Sequence, residues 1–366
     1  MLRALAGSGS AAQRERAHAT LELSAQFRGE RAVVGNAVTS AAADAERVAV
    51  YDARHRRDLP GAPLRGRADA AAKEAQDGAA QAYDFYRQVY KRDSVDGRGM
   101  PLQSTVHYGT HFDNAQWNGR QMLYGDGDGK LFARFTKSLD VIAHELTHGV
   151  TQYSAGLAYA GESGALNEHF SDVFGSLVKQ YTLKQTAARA DWLLGAGLLG
   201  RRVNGVAVRS MKAPGTAYDD KLLGKDPQPA HMREFRRMHD DNGGVHVNSG
   251  IPNHAFYLAA TAMGGKAWEV AGRIWYATLT TRLAARATFR DCARATLDVA
   301  AKLYGPRSEP RRAVEEAWRS VGIDIAAIAG AGPHLSVFEP AAEVPVDAHH
   351  RVPHRRPRRR GANVRD

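Results

Sequence analysis

The chain has 366 residues, of which 24% are charged and 43% are hydrophobic, and its formal net charge is +11. Its uninterrupted apolar runs fall far short of the ~20 residues that a membrane span needs, so no spanning helix is predicted. Cys292 is the only cysteine, which excludes an internal disulfide. Its amphipathic surroundings predict buried packing rather than a nucleophile.

Residues 1–50 are predicted to form a separate N-terminal segment. Residues 9–34 are helix-friendly and highly charged, and an Ala-rich stretch follows to about Glu46. The apolar start is too short for a classical signal peptide. Residues 50–63 contain many Arg, Pro and Gly residues, which predicts an exposed, cleavable connector. The alternative is an ordinary helical extension.

The remaining chain predicts an α+β fold with two lobes and a cleft between them. Residues 51–150 predict a strand-rich lobe with turns at Asp96-Gly97 and at 125–129, and residues 151–323 predict an all-helical lobe. The helical patterns of the second lobe are Asn248–Met263, Ala267–Leu283, Phe289–Leu303 and Pro310–Val321.

Residues 324–366 predict a disordered tail rich in Arg and Pro. From Arg351 to the C-terminus there are seven Arg and one Asp, so much of the positive charge lies there. Too few apolar groups are present for folding. A basic arm for acidic partners and a functionless extension are both open readings, but no aromatic side chains are interleaved for stacking on bases. No nucleic-acid partner is expected.

The stretch His144-Glu145-Leu146-Thr147-His148 predicts a metal site on a buried helix. Side chains four residues apart share one helix face, so His144 and His148 can offer two imidazoles to one zinc ion. Glu145 stands beside that face, within reach of a water at the metal's open position. A solvated helix face is the alternative until a third ligand is found.

A second amphipathic helix around residues 164–172 supplies the candidate third ligand. Glu168 and Asp172 are also four apart and share one helix edge. Glu168 is the candidate ligand, and Asp172 would fix the tautomer and orientation of His144. Two histidines and one glutamate with an open fourth position are typical of a hydrolytic zinc site.

A third motif, Asp241–Gly250, places His246 after two glycines. Peptide hydrolysis creates an oxyanion, which a positively biased imidazole can stabilise, and Asp241 can raise the basicity of that imidazole. A histidine beside a glycine pair is by itself typical of a loop, so its interpretation depends on the other motifs.

In this order and spacing, HELTH, GALNEHFSD and DNGGVHVNSG resemble the thermolysin family of zinc endopeptidases. Residues 114–119 and 124–129 carry the same likeness, which extends from about Ala68 to Ile323. Residues 94–102 and 224–232 resemble the protealysin-like bacterial members in particular.

The resemblance implies functional roles position by position. The implied catalytic and metal-binding residues are the zinc ligands His144, His148 and Glu168, the catalytic carboxylate Glu145, and the oxyanion-stabilising Tyr159 and His246, with Asp241 behind the imidazole. The implied substrate contacts are Asn114, Ala115 and Arg209 for the peptide backbone, and Phe132, Phe135, Val141, Leu194, Leu198 and Val208 for the side chain after the cleaved bond.

These positions imply a zinc-dependent neutral endopeptidase that cuts before bulky apolar residues, because the pocket is apolar throughout. The first 50 residues resemble a short pro-segment, which implies a zymogen that inhibits its own active site and is cut between about Arg47 and Arg65. The implied partners are protein and peptide substrates, and the implied state is a secreted monomer. Without a classical signal peptide, non-classical export and cytoplasmic retention are the alternatives.

The family's double calcium site is not reproduced in this sequence. Its five carboxylates match Asp140, Lys179, Asp191, Leu193 and Ala196. Calcium needs several oxygen ligands and strong negative charge, so this site is predicted to bind no calcium.

Two other classes compete with the endopeptidase interpretation. One is a catalytically silent, permanently latent protein, and the intact Glu145, Tyr159 and His246 argue against it. The other is a basic nucleic-acid or surface-binding protein with an incidental metal site. The concentration of positive charge in the tail argues against that class.

Overall fold

The computed structural model describes residues 1–34, 47–64 and 68–325. The Ala-rich stretch before Arg47 and all but two residues of the predicted tail lie outside the described residues. No helix of the described chain is long and apolar enough to cross a bilayer.

Helices and short strands alternate along the described chain. The helices are α1 (Leu2–Ser8), α2 (Ala11–Val34), α3 (Ala70–Tyr90), α4 (Leu139–Gln152), α5 (Gly161–Thr182), α6 (Asp241–Asn248), α7 (Gly250–Met263), α8 (Ala271–Thr281), α9 (Phe289–Tyr304) and α10 (Glu309–Ser320). The strands are β1 (Val48–Asp52), β2 (Ala62–Pro63), β3 (Leu102–Val106), β4 (Ala115–Trp117), β5 (Met122–Tyr124), β6 (Leu193–Leu194), β7 (Arg209–Ser210), β8 (Asp219–Asp220) and β9 (Gly224–Lys225).

The N-terminal lobe is built on a five-stranded mixed sheet with the order β2-β1-β3-β5-β4. β1 is parallel to β3 and antiparallel to β2, and β4 closes the far edge antiparallel to β5. An edge strand can accept an extended peptide as an additional strand. This edge lies beside the site described below.

Two helices, α4 and α5, pack side by side through the centre of the molecule. Every residue of α5 from Ser163 to Val178 is buried. Their close approach requires Gly175, where a Cβ atom would lie 2.5 Å from the Asp140 carbonyl oxygen. Cys292 is also fully buried in the core, as the sequence predicts, and burial raises the pKa of its thiol.

The predicted α+β architecture, with a strand-rich first lobe and a helical second lobe, is confirmed. The first lobe also contains the 21-residue helix α3, which the sequence analysis missed. Its buried face consists largely of alanines, so it lacks the large apolar periodicity that reveals a helix. The second lobe contains two small antiparallel ladders, β6 with β7 and β8 with β9. The helix predicted from Ala267 begins at Ala271.

The predicted boundary at residue 50 falls inside β1. Val48 and Val50 are buried, and β1 has a paired strand on each side, so this stretch is not an exposed connector. The exposed residues of the predicted connector are 54–59 and Pro63. The strand is an integral part of the catalytic lobe's sheet.

Lys179, one of the five positions predicted to match the family's calcium site, contacts three of the other four. Its ammonium group lies 2.8 Å from Asp140 Oδ2 and 2.9 Å from Asp191 Oδ1, and it donates to the Leu193 carbonyl oxygen at 2.5 Å. Burial disfavours the charged amine, but Asp140 and Asp191 raise the pKa of Lys179 above its usual value. A cation that belongs to the chain itself therefore lies among these three oxygen atoms.

We expect Lys179→Met to destabilise the fold strongly. The substitution leaves the Asp140 carboxylate, whose side chain is 2% exposed, without its counter-charge. Removing one partner of a buried ion pair typically costs about 3–5 kcal/mol. The measurement is the free energy of unfolding in urea.

Lys302→Met is the matched control, because Lys302 is exposed on α9. Its unfolding midpoint should equal that of the parent. Equal midpoints for both variants would show that the Lys179 pair does not stabilise the fold.

Candidate metal centre and active site

Helices α4 and α5 bring the three predicted zinc ligands together. His144 Nε2 lies 3.4 Å from Glu168 Oε2, and His148 Nε2 lies 3.4 Å from Glu168 Oε1. All three side chains are buried. Tetrahedral ligands at zinc's usual bond lengths lie ~3.4 Å from one another, so these separations suit a zinc ion between them.

The buried carboxylate of Glu168 also fits a cation at this position. Its Oε2 atom makes no hydrogen bond to the residues that the structure describes. A buried carboxylate oxygen without a partner is costly unless a cation compensates it. The donor set and this unpartnered atom together fit zinc.

Asp172 contacts His144 at the ring nitrogen that does not face Glu168. Its Oδ1 lies 2.8 Å from His144 Nδ1, which directs Nε2 of that ring toward Glu168. Arg209 donates to the same carboxylate at 2.7 and 2.9 Å, and Asn253 donates at 2.8 Å. Burial alone would raise the pKa of Asp172, but Arg209 and His144 hold it well below its usual value. The carboxylate is therefore a permanent anion.

Asn167 and Ser171 orient the ring of His148, as Asp172 orients that of His144. The sequence analysis missed both residues. Asn167 Oδ1 lies 2.7 Å from His148 Nδ1, and Ser171 Oγ lies 3.1 Å from it. The two residues are four apart on α5, as Glu168 and Asp172 are. This spacing places them on one helix face and is the signal that could have found them.

Glu145 lies beside the ligands with its carboxylate oriented by the sheet. The backbone N–H of Trp117, in edge strand β4, donates to Glu145 Oε2 at 2.9 Å. Burial raises the pKa of Glu145. A buried carboxylate with a raised pKa is well suited to proton transfer near neutral pH.

Tyr159 and His246 both lie next to Glu168, the third predicted zinc ligand. The Tyr159 hydroxyl donates to Glu168 Oε1 and lies 3.2 Å from His246 Nε2. His246 Nδ1 lies 2.6 Å from Asp241 Oδ1. Burial disfavours the imidazolium, but Glu168 and Asp241 together raise the pKa of His246.

The backbone before His246 makes its contact with Asp241 possible. Asp241, Asn242, Gly243 and Gly244 have φ values of 54°, 51°, 85° and 80°, a left-handed run at the start of α6. Glycine adopts this region without a steric penalty. The turn lets Asp241 accept from the His246 backbone N–H at 2.9 Å as well as meet its ring.

A cavity of about 480 Å³ adjoins these groups. Five of the six apolar residues predicted for the substrate pocket line it: Phe132, Phe135, Val141, Leu198 and Val208. The sixth, Leu194, is not among the lining residues. It is 1% exposed and packs into the hydrophobic core from β6, where it pairs with Arg209.

Two family profiles match most of the chain. The thermolysin metallopeptidase catalytic domain matches residues 39–152, and the thermolysin metallopeptidase alpha-helical domain matches residues 155–323. The chain belongs to the thermolysin metallopeptidase family. It is therefore a metalloendopeptidase.

Individual members of the thermolysin family are similar along most of their length. An extracellular metalloprotease of Pectobacterium carotovorum is 52% identical, over 75% of this chain and 81% of its own. Protease PrtS of Photorhabdus is 49% identical, over 75% of this chain and 76% of its own. The solved structure of the precursor of protealysin from Serratia proteamaculans superposes with a TM-score of 0.79 at 50% identity, and covers 88% of this chain and 97% of that one.

In this thermolysin-family chain, the N-terminal helices lie over the active site. Met1 and Leu2 line the same cavity as the apolar pocket residues. Asn114, predicted to hold substrate, donates to Ser24 Oγ of α2 at 3.1 Å. The guanidinium of Arg31 lies 4.6 Å from the centre of the Tyr159 ring.

Polar and apolar contacts hold α2 against the N-terminal lobe, next to the edge strand β4. Arg16 pairs with the buried carboxylate of Asp113, and Thr20 donates to the His111 carbonyl oxygen at 2.8 Å. Phe27 packs edge-on against Tyr108 and Phe112. The helix is therefore docked on the catalytic lobe through its length.

Proposed function

We propose that this metalloendopeptidase uses one zinc ion, is made as a zymogen and cleaves internal peptide bonds on the N-terminal side of bulky apolar residues. The observation that carries the proposal is that Glu145, the His144, His148 and Glu168 group and a set of apolar side chains line one cavity. Protein and peptide substrates would lie as extended chains beside β4.

Glu145 is the proposed general base. Zinc, when held by His144, His148 and Glu168, supplies a Lewis acid for the scissile carbonyl and its attacking water. The Glu145 carboxylate takes a proton from that water and later delivers it to the leaving nitrogen. Its raised pKa and its hydrogen bond from Trp117 support this role.

Tyr159 and His246 are the proposed donors to the oxyanion. In the present structure both face Glu168 Oε1, the side of the site on which the negative charge would develop. Donors that are already oriented stabilise a developing charge without reorganisation. Asp241 favours the protonated form of His246 by raising its pKa, and it fixes the direction of the ring.

Asn114, Ala115 and Arg209 are the proposed contacts to the substrate backbone. Arg209 has its Nε and Nη2 atoms committed to Asp172, so Nη1 is the nitrogen that it can offer to a peptide carbonyl. Because Asp172 neutralises its charge, Arg209 should not select acidic side chains.

The N-terminal helices are the proposed pro-segment. A covalently attached segment inhibits through its high effective concentration, without tight intrinsic affinity. The activating cut should fall between the end of α2 at Val34 and the start of β1 at Val48, because β1 belongs to the catalytic sheet. This interval replaces the wider one between Arg47 and Arg65. A solved relative is named a precursor, which supports the zymogen proposal.

Two further properties are proposed with the zymogen. Relatives named extracellular proteases support secretion of this chain. We expect a monomer that needs zinc for activity. We also expect calcium to add little stability, because Lys179 supplies the positive charge at the matched calcium site.

Glu145→Gln should retain zinc and lose nearly all turnover. The amide preserves the size of the side chain but cannot accept the proton, which typically costs a factor of about 10²–10⁴. The measurements are kcat/KM on a peptide substrate and zinc content by mass spectrometry. Glu316→Gln, at an exposed position on α10, is the control. Near-normal activity of Glu145→Gln would refute the mechanism.

Cleavage of a peptide library should fall before Leu, Phe, Ile or Val. Burying such a side chain in the apolar pocket favours these peptides over polar ones by about 10–200-fold in kcat/KM. Leu198→Ala enlarges the pocket, and we expect it to raise the preference for Phe relative to Val. A library cut mainly before Asp or Glu would contradict the proposed specificity.

Arg31→Ala and Phe27→Ala should raise the activity of the uncut chain toward that of the processed enzyme. Each removes a contact that holds α2 over the site. Activity is measured on chains whose intact N-terminus is verified by mass spectrometry. Glu22→Ala, at an exposed position on the same helix, is the control. A wild-type uncut chain as active as the processed enzyme would refute autoinhibition.

A further inference from the structure

A second group of metal-ligating side chains lies outside the active site. Among residues 1–34, 47–64 and 68–325, two groups of at least three such side chains bring their ligand atoms within 4.8 Å of one another. One is the zinc-ligand group described above. The other consists of His55, His107 and Asp126.

The ligand atoms of this second group lie close enough together to surround one ion. His107 Nδ1 lies 2.9 and 3.0 Å from the two carboxylate oxygens of Asp126. His55 Nδ1 lies 3.6 Å from Asp126 Oδ2. These values lie on either side of the ~3.4 Å separation of tetrahedral zinc ligands, so small rotations of the three side chains would bring them to that spacing.

Asp69 lies behind His107 as Asp172 lies behind His144. Asp69 Oδ2 is 2.9 Å from His107 Nε2, on the side of the ring away from Asp126. A carboxylate on the outer nitrogen fixes the tautomer that presents the inner nitrogen to a metal. Asp69 is itself fixed, because it caps α3 by accepting from the Ala72 N–H at 2.9 Å.

Backbone hydrogen bonds hold His55 and His107 at fixed positions relative to each other. The His55 N–H donates to the His107 carbonyl oxygen at 2.9 Å, and the Gly109 N–H donates to the Arg56 carbonyl oxygen at 3.0 Å. Both histidines have left-handed backbones, with φ values of 59° and 54°. The loop after β1 and the end of β3 therefore present their imidazoles from fixed positions.

An ion pair accounts for only part of this arrangement. The hydrogen bond to Asp126 raises the pKa of His107 to about 9, so a protonated His107 between two carboxylates explains its own contacts. It does not account for His55, whose side chain is 58% exposed and whose Nδ1 lies 3.6 Å from Asp126 Oδ2, too far for a hydrogen bond.

We propose that His55, His107 and Asp126 form a second transition-metal site that zinc occupies. Two imidazoles and one carboxylate suit zinc and disfavour calcium, which prefers oxygen ligands. Solvent would supply the fourth ligand, since the site is open. The ion would join the loop after β1, the end of β3 and the 125–129 turn, and thereby stabilise the N-terminal lobe.

The test uses the full chain carrying Glu145→Gln, which prevents self-cleavage. It is dialysed at micromolar free zinc, and bound zinc is measured by mass spectrometry. His55→Asn removes one imidazole, and asparagine tolerates a positive φ better than most residues. We expect this variant to bind one zinc fewer than its parent. His239→Asn, at another exposed histidine, should bind as many as the parent.

Asp69→Asn separates metal binding from a structural role. Asparagine caps a helix as well as aspartate does, so α3 should keep its start. The affinity for the additional zinc should fall about 10–100-fold, as for other groups that orient a ligand histidine. Zinc beyond the first equivalent should raise the melting temperature of the parent but not of His55→Asn. Equal zinc content and equal melting shifts in the parent and His55→Asn would overturn the proposal.

Discussion

The buried carboxylate of Asp172 is the anchor on which the active site depends. An isolated charge in the interior would be prohibitively costly, and three donors from separate elements compensate this one. His144 comes from α4, Arg209 from β7 and Asn253 from α7. The orientation of a proposed zinc ligand and the position of a proposed substrate contact are therefore set by one anion. Gly175 lets α4 approach α5 closely enough for this arrangement.

Local spacing predicted the parts of the site that lie on one helix face. His144 with His148, and Glu168 with Asp172, are four residues apart, and helix geometry alone places each pair together. Asn167 and Ser171 share the same spacing, but polar side chains within a helix usually face solvent, so the spacing alone did not distinguish them from surface residues. The contact of His246 with Asp241 depends on a left-handed turn, which the glycine pair permits but does not specify.

Features that depend on distant packing could not be predicted from the sequence. Val48 and Val50 stand beside an Arg-rich, Pro-rich stretch that resembles a linker, and only their pairing with β3 shows that they are interior. Leu194 is apolar like its neighbours in the matched pocket, and only the structure shows that it does not line the cavity with them. The docking of α2 on Asp113, Tyr108 and Tyr159 likewise joins residues that are far apart in the chain.

The pairs Asp172–His144 and Asp69–His107 have the same chemical groups but differ in burial, and this difference suits them to different roles. At His144 the anion Asp172 is fully buried, so water cannot compete for the ring and the ligand is held rigidly. At His107 the anion Asp69 is 57% exposed, and solvent screens its attraction. A metal at the open pair should exchange with solution more readily than one at the buried pair. Catalysis needs the rigid ligand set, whereas reversible stabilisation of a lobe needs only the open one.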